Sequence, residues 1–176
     1  KVGDEIMSLD ENNNLRYQTV FYKRTHGCEL INHYKIILKT FNGRHDVVTL
    51  SPDHLVLLSD NSYKRADKLR TRDKLKNSFN KYSTIINITL IKDIPITPVV
   101  LSGKICLLNN TIVSCWSGDK ENVEKMTILM DLTRPYTKKY SPEEVSVMMH
   151  NVYEKFNEQN KNTNNLENIL KCLNLP

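Results

Sequence analysis

A hydroxyl and an imidazole stand three residues apart in Val47-Val48-Thr49-Leu50-Ser51-Pro52-Asp53-His54-Leu55-Val56-Leu57-Leu58, an otherwise apolar, strand-like run. A thiol follows about sixty residues later in Ser114-Cys115-Trp116. An imidazole moves protons near neutral pH, a hydroxyl can hydrogen-bond a reacting backbone group, and a thiol becomes a nucleophile once its proton is removed. Ser51, His54 and Cys115 together point to acyl-shift chemistry on the chain's own backbone. Each also has a plainer use. His54 could be a core histidine satisfied by a backbone partner, Ser51 a turn or edge hydroxyl, and Cys115 a small buried strand residue. Thr49, two positions before Ser51, would lie on the same strand face and competes for the hydroxyl's role. His33, His45 and His150 fit no such pattern and read as surface or packing residues.

Those groups need a body to hold them, and 176 residues are enough to bury one core, with room for a small appendage. The net charge of +5 comes from 25 basic and 20 acidic side chains, scattered along the chain and not gathered on one face. With no interleaving of basic and aromatic residues, the sequence does not argue for a nucleic-acid partner. No run of apolar residues reaches the roughly 18 needed for a membrane span, so no transmembrane segment is expected. Cys28, Cys106, Cys115 and Cys172 show none of the paired spacings of a zinc site or dithiol motif, and no metal or cofactor is expected.

The texture changes near Gly118. Before it, short runs rich in Val, Ile, Thr, Tyr and Leu alternate with turn-formers, predicting strands at 5–9, 16–22, 34–40, 46–58, 83–91, 104–108 and 111–116. Asn42-Gly43 is a favoured hairpin turn, because both residues tolerate positive φ. An internal repeat underlies the pattern: Val2-Gly3-Asp4-Glu5-Ile6 is echoed by Thr71-Arg72-Asp73-Lys74-Leu75, and Tyr17-Gln18-Thr19-Val20 by Tyr82-Ser83-Thr84-Ile85. Two similar halves about a pseudo-twofold axis would produce both echoes, as would chance among short β-rich words.

After Gly118 the period becomes helical. Val123, Met126, Thr127 and Met130 fall on one face. Ser141-Pro142-Glu143-Glu144 has the capping residue, N1 proline and capping-box glutamate of a helix start, and Val145, Met148, Met149, Val152, Tyr153 and Phe156 form the stripe that follows. Residues 157–165 read as a polar linker before a last short helix. The expected architecture is mainly β, a pseudo-twofold β body over 1–117, followed by a small α-helical C-terminal region over 118–176.

Four words in order, Val2-Gly3-Asp4, Ser51-x-x-His54, Thr97-Pro98-Val99-Val100-Leu101-Ser102-Gly103-Lys104-Ile105 and Asn110-Thr111-Ile112-Val113-Ser114-Cys115-Trp116, resemble the Hint (hedgehog/intein) domain of hedgehog-type autoprocessing proteins. The resemblance covers about residues 1–117, and the helical remainder is similar in placement to an adduct- or sterol-recognition region. It implies an N-to-S acyl shift: a cysteine at the domain's first position attacks the peptide carbonyl before it. The resulting thioester is cleaved by a sterol or another nucleophile, so the partner is the protein's own upstream segment and a cholesterol-like sterol is a co-substrate. His54 would protonate the leaving amide nitrogen, Ser51 would hydrogen-bond the scissile backbone where the family usually has Thr, and Cys115 would lie near the nucleophile and could pair with it or tune its redox state. His26, after the strand starting at Tyr17, matches the place of the base for the second step, though a loop histidine without a role fits equally. The resemblance also implies a monomer in the secretory pathway or outside the cell.

One departure stands out. The family's nucleophilic cysteine precedes the Val-Gly-Asp word by about twenty residues, a place that none of the four cysteines here occupies. The sequence is therefore expected to be either a piece lacking its first strands or a non-catalytic Hint-fold module that has lost its nucleophile. An intein would carry a His-Asn pair at the end of the β body; Ser114-Cys115-Trp116-Ser117-Gly118-Asp119 has none, which favours the hedgehog-like branch.

Overall fold

The computed structural model describes residues 1–10, 12, 14–25, 30–94, 96–100, 105–108, 111–117, 130–131 and 133–159. Among the described residues, eleven strands run β1 (Glu5–Leu9), β2 (Leu15–Thr25), β3 (Ile31–Lys39), β4 (His45–Leu50), β5 (His54–Leu57), β6 (Tyr63–Arg65), β7 (Lys74–Lys76), β8 (Tyr82–Asp93), β9 (Ile96–Val100), β10 (Ile105–Leu108) and β11 (Thr111–Ser117), and helix α1 spans Pro142–Gln159. Seven strands form one sheet in the order β6-β5-β11-β10-β1-β2-β9, and four form a second in the order β4-β3-β8-β7. The mainly β architecture with a C-terminal helix is the one expected.

The repeat is written into the backbone hydrogen bonds. In the first half, Gly3 N–H donates to Val20 O (2.9 Å) and Val20 N–H to Asp4 O (2.8 Å); in the second, Arg72 N–H donates to Ile85 O (2.8 Å) and Ile85 N–H to Asp73 O (2.9 Å). Both hairpins close on the same turn device. The Asp10 carboxylate accepts from the N–H groups of Asn12 and Asn14, and the Asn77 side-chain oxygen accepts from those of Phe79 and Lys81. A side-chain oxygen mimicking a backbone acceptor is why Asp and Asn favour such turns. The β1/β2 hairpin is two residues longer on each strand, since Met7 pairs with Tyr17 where Lys76 pairs with Tyr82.

Even the irregularities are duplicated. β2 breaks register between Val20 and Tyr22 as it pairs with β9, and β8 skips Ile86 as it pairs with β3, so each long strand starts in its own hairpin and ends against a strand of the other half. The exchange welds the halves together around a shared core containing Val20, Ile36, Leu38, Val48, Val56, Leu75, Ile85, Val100 and Val113, all at most 2 % exposed. Fully burying each such aliphatic side chain contributes about 1.5–3 kcal/mol.

Gly3 and Arg72 occupy equivalent positions with φ of 87° and 75°. A Cβ at Gly3 would also come within 3.3 Å of the Glu143 carboxylate. Gly3→Ala is expected to lower stability by about 1–2 kcal/mol, the cost of a left-handed L-residue. Arg72→Gly should raise it by less than about 1 kcal/mol, because relief of the same strain exceeds the entropy glycine loses on folding. Urea midpoints of the two variants check the opposite signs.

Two expectations change. The run 46–58 is not one strand: Ser51-Pro52-Asp53-His54 forms a turn, closed by His54 N–H to Ser51 O at 3.2 Å, and β4 and β5 lie in different sheets. Proline removes a ladder donor, which breaks an apolar run whose composition alone looks continuous. Thr49, opposite Lys35 in the β3/β4 hairpin, thus loses the shared strand face that made it a competitor of Ser51. Helix α1, in turn, continues to Gln159, into the start of the expected linker.

At the start of α1 the capping box forms as read. Glu144 Oε2 accepts from the Ser141 backbone N–H at 2.8 Å, and Glu144 N–H reaches Ser141 Oγ at 3.3 Å. Among the described residues, no helix is long and apolar enough to cross a membrane. Val123, Met126 and Thr127 of the expected helical face, and the last short helix, lie outside the described residues.

Candidate functional site

The site sits where the β4/β5 turn meets β11. Pairing between β5 and β11 is regular at Val113 opposite Val56 but has shifted by Ser117 opposite His54, so four steps along β11 match two along β5. Extra residues in one strand bend it and re-aim its side chains, and here they include Ser114 and Cys115. Ser114 consequently turns toward β5 twice: its carbonyl oxygen lies 2.8 Å from His54 Nε2, and its hydroxyl accepts from Leu55 N–H at 3.2 Å.

On the other side of the imidazole, Ser51 Oγ lies 3.1 Å from His54 Nδ1 and 2.9 Å from Asp53 Oδ1. The turn supplies all three side chains, because Pro52 and the bond from His54 N–H to Ser51 O fold residues 51–54 back on themselves. The structure thus brings Ser51, His54 and the Ser114–Cys115 peptide into one hydrogen-bonded chain. Cys115 itself is buried in the core, 1 % exposed, so its plainer reading as a small buried strand residue holds for its packing while its backbone joins the site. His26 lies outside the described residues, as do Cys28 and Cys172.

Burial pushes the His54 pKa below the ordinary histidine value, opposed by the Ser114 carbonyl and the Asp53 charge and reinforced by repulsion from His33. His33 is a buried residue, 6 % exposed, whose Nδ1 lies 3.1 Å from Ile31 O. Its packing role was expected; its neighbourhood was not. The β3/β4 register ends with Tyr34 opposite Leu50, and His33, the next residue back along β3, lies near enough to act on the His54 ring. His45 starts β4 at an exposed position opposite Lys39. His150 stacks on Tyr22 with ring centroids 6.3 Å apart.

Asp53 was absent from the residues that the sequence singled out. The signal was present: a carboxylate between the hydroxyl and the imidazole, following a proline that forces a turn, is placed to accept from the hydroxyl. It becomes legible once the continuous strand is abandoned.

No known family's sequence profile matches the chain, and no curated protein sequence matches it. Solved structures do. An intein-like bacterial domain from Clostridium thermocellum is similar at a TM-score of 0.53 and 17% identity, over 65% of this chain and 82% of that one. A variant of the Ssp DnaB mini-intein is similar at 0.51 and 20%, over 69% and 81%. The DnaX mini-intein of Spirulina platensis gives 0.50 and 15%, over 65% and 88%. At these identities the likeness is one of fold, and the fold is the hedgehog/intein (Hint) β-fold.

Proposed function

We propose that the chain is the self-processing part of a longer precursor, acting on the peptide bond that joins it to its own upstream segment. The observation that carries the reading is the chain of hydrogen bonds from Asp53 through Ser51 and His54 to the Ser114–Cys115 peptide, held by a bulge inside a Hint fold. A half-buried imidazole directed at backbone amide groups is suited to giving a proton to a leaving nitrogen.

In the proposed reaction a cysteine thiolate upstream of Lys1 attacks the preceding carbonyl carbon. The carbon–nitrogen bond breaks, the amide nitrogen takes a proton from His54, and a thioester and a free amine result. A second nucleophile then attacks the thioester carbonyl, the thiolate leaves and the upstream segment departs as an ester, an acid or a thioester of the added thiol. Ser51 orients the imidazole and the scissile backbone, and Cys115 holds the bulge from inside the core. His26 as base for an incoming hydroxyl, a sterol as that hydroxyl's source, action in the secretory pathway and the division into 1–117 and 118–176 all rest on the resemblance to hedgehog-type proteins and belong to the same proposal. The segment Ser114–Asp119 at the end of the β body carries no His-Asn pair, and His150-Asn151 lies within α1, which supports simple cleavage over splicing.

Mass spectrometry of the precursor expressed with its native upstream reading frame tests this. Added dithiothreitol is expected to release the upstream segment as a thioester and leave a fragment beginning with cysteine. Cleavage at a residue other than cysteine would overturn the proposed chemistry, and an intact precursor would overturn it in favour of a Hint-fold module without a reaction.

A further inference from the structure

The Ser51 hydroxyl has one hydrogen and two neighbours that could accept it, His54 Nδ1 at 3.1 Å and Asp53 Oδ1 at 2.9 Å. At the far side of the ring, His54 Nε2 faces a carbonyl oxygen, which only accepts. Nε2 therefore carries a hydrogen. If the ring is neutral, Nδ1 has a lone pair and takes the hydroxyl hydrogen, and the Asp53 carboxylate forgoes that donor. If the ring is charged, Nδ1–H donates to Ser51 Oγ and Ser51 O–H donates to Asp53, so every group in the chain is matched.

We infer that Asp53 is a positioning residue of the site: through the Ser51 hydroxyl, its carboxylate holds the protonated His54 ring in register with the Ser114–Cys115 peptide. The inference rests on the proposed function only for its catalytic consequence, since the hydrogen-bond chain exists in the folded protein whether or not cleavage occurs. Three groups bear on the ring. From the turn, Asp53 favours the charged form; from β11, so does the Ser114 carbonyl; from β3, the buried His33 opposes it. A proton donor for an amide nitrogen must both hold a proton and release it, and efficiency is greatest when those tendencies balance near the working pH. Burial by itself lowers the ring's proton affinity. The Asp53–Ser51 arm restores part of its proton affinity without bringing a carboxylate into direct contact.

The test is a nuclear magnetic resonance titration of the His54 ring in the folded chain and in Asp53→Asn, which keeps the shape and a hydrogen-bond acceptor while removing the charge. The His54 midpoint is expected to move to lower pH, with Nε2–H still the neutral tautomer. Ser51→Ala, which cuts the link and leaves the charge, should move it in the same direction. Asp67→Asn is the control. Asp67 donates its N–H to Pro52 O beside the turn but gives its carboxylate to Arg65, and its loss should leave the midpoint in place. A parental His54 midpoint in Asp53→Asn, or an equal shift in Asp67→Asn, would overturn the inference. Because this titration needs no cleavage, failure of the cleavage reaction and failure of the positioning role remain separate results.

Discussion

Replacing His54 by Ala in the full precursor is expected to slow thiol-induced release of the upstream segment by about 10²–10⁴-fold, the usual contribution of a positioned proton donor. The protein should still fold. The substitution removes a partly exposed ring and leaves the Ser114 carbonyl without its imidazole donor, at a cost of about 1–3 kcal/mol, against a total stability of about 5–15 kcal/mol for a typical domain. Activity and stability should therefore separate: a near-complete loss of cleavage on gels or by mass, with a cooperative urea transition retained. Ser51→Ala should have a smaller effect, because His54 keeps its bond to Ser114 O and loses only the partner that orients Nδ1. Equal cleavage rates in parent and His54→Ala would make this histidine a structural residue and remove the basis for the proposed chemistry.

Much of this arrangement could be read from the sequence because it was repeated or local. The echo of Gly3-Asp4 in Arg72-Asp73 survives as a matched pair of backbone hydrogen bonds, since a turn with positive φ followed by a carbonyl acceptor has to be built the same way in both halves. The Ser141-Pro142-Glu143-Glu144 cap is encoded in four adjacent residues and forms accordingly. Ser51 and His54, three apart, were also visible. What could not be read was set by distant partners. β6 and β7 are three residues each, too short for any periodicity, and they exist because β5 and β8 offer them edges. The β11 bulge that presents Ser114 to His54 depends on a register mismatch between strands about sixty residues apart, which no local pattern records. The same holds for His33, which acts on the His54 ring from β3, a strand of the other sheet.

The helical end of the chain poses the second large expectation. Its apolar stripe could serve as packing or as a surface for a lipid adduct, and the described residues bear on that choice. Val145, Met149 and Val152 are 0 %, 1 % and 6 % exposed, and with Met130 they belong to the same core as Val20 and Tyr22 of β2. Tyr22 is also joined to His150 by ring stacking and a 3.4 Å contact from its hydroxyl to Nδ1. Met148 is only half-buried and Met126 lies outside the described residues, so among the described side chains those packed into the core are Met130, Val145, Met149 and Val152. Removing everything from Thr133 onward would forfeit the burial of three apolar side chains of the helix and expose the β2 surface beneath them. At about 1.5–3 kcal/mol for each buried apolar side chain, the loss is several kcal/mol, comparable with the whole stability of a typical domain. The truncated protein is expected to show a strongly lowered urea midpoint or no cooperative transition, and to lose thiol-induced cleavage together with any transfer to a sterol. A tail that only presents an adduct would behave otherwise: its deletion would spare thiol cleavage and abolish transfer alone. Retention of full thiol cleavage and an unchanged midpoint after truncation would show that α1 rests on β2 without supporting it.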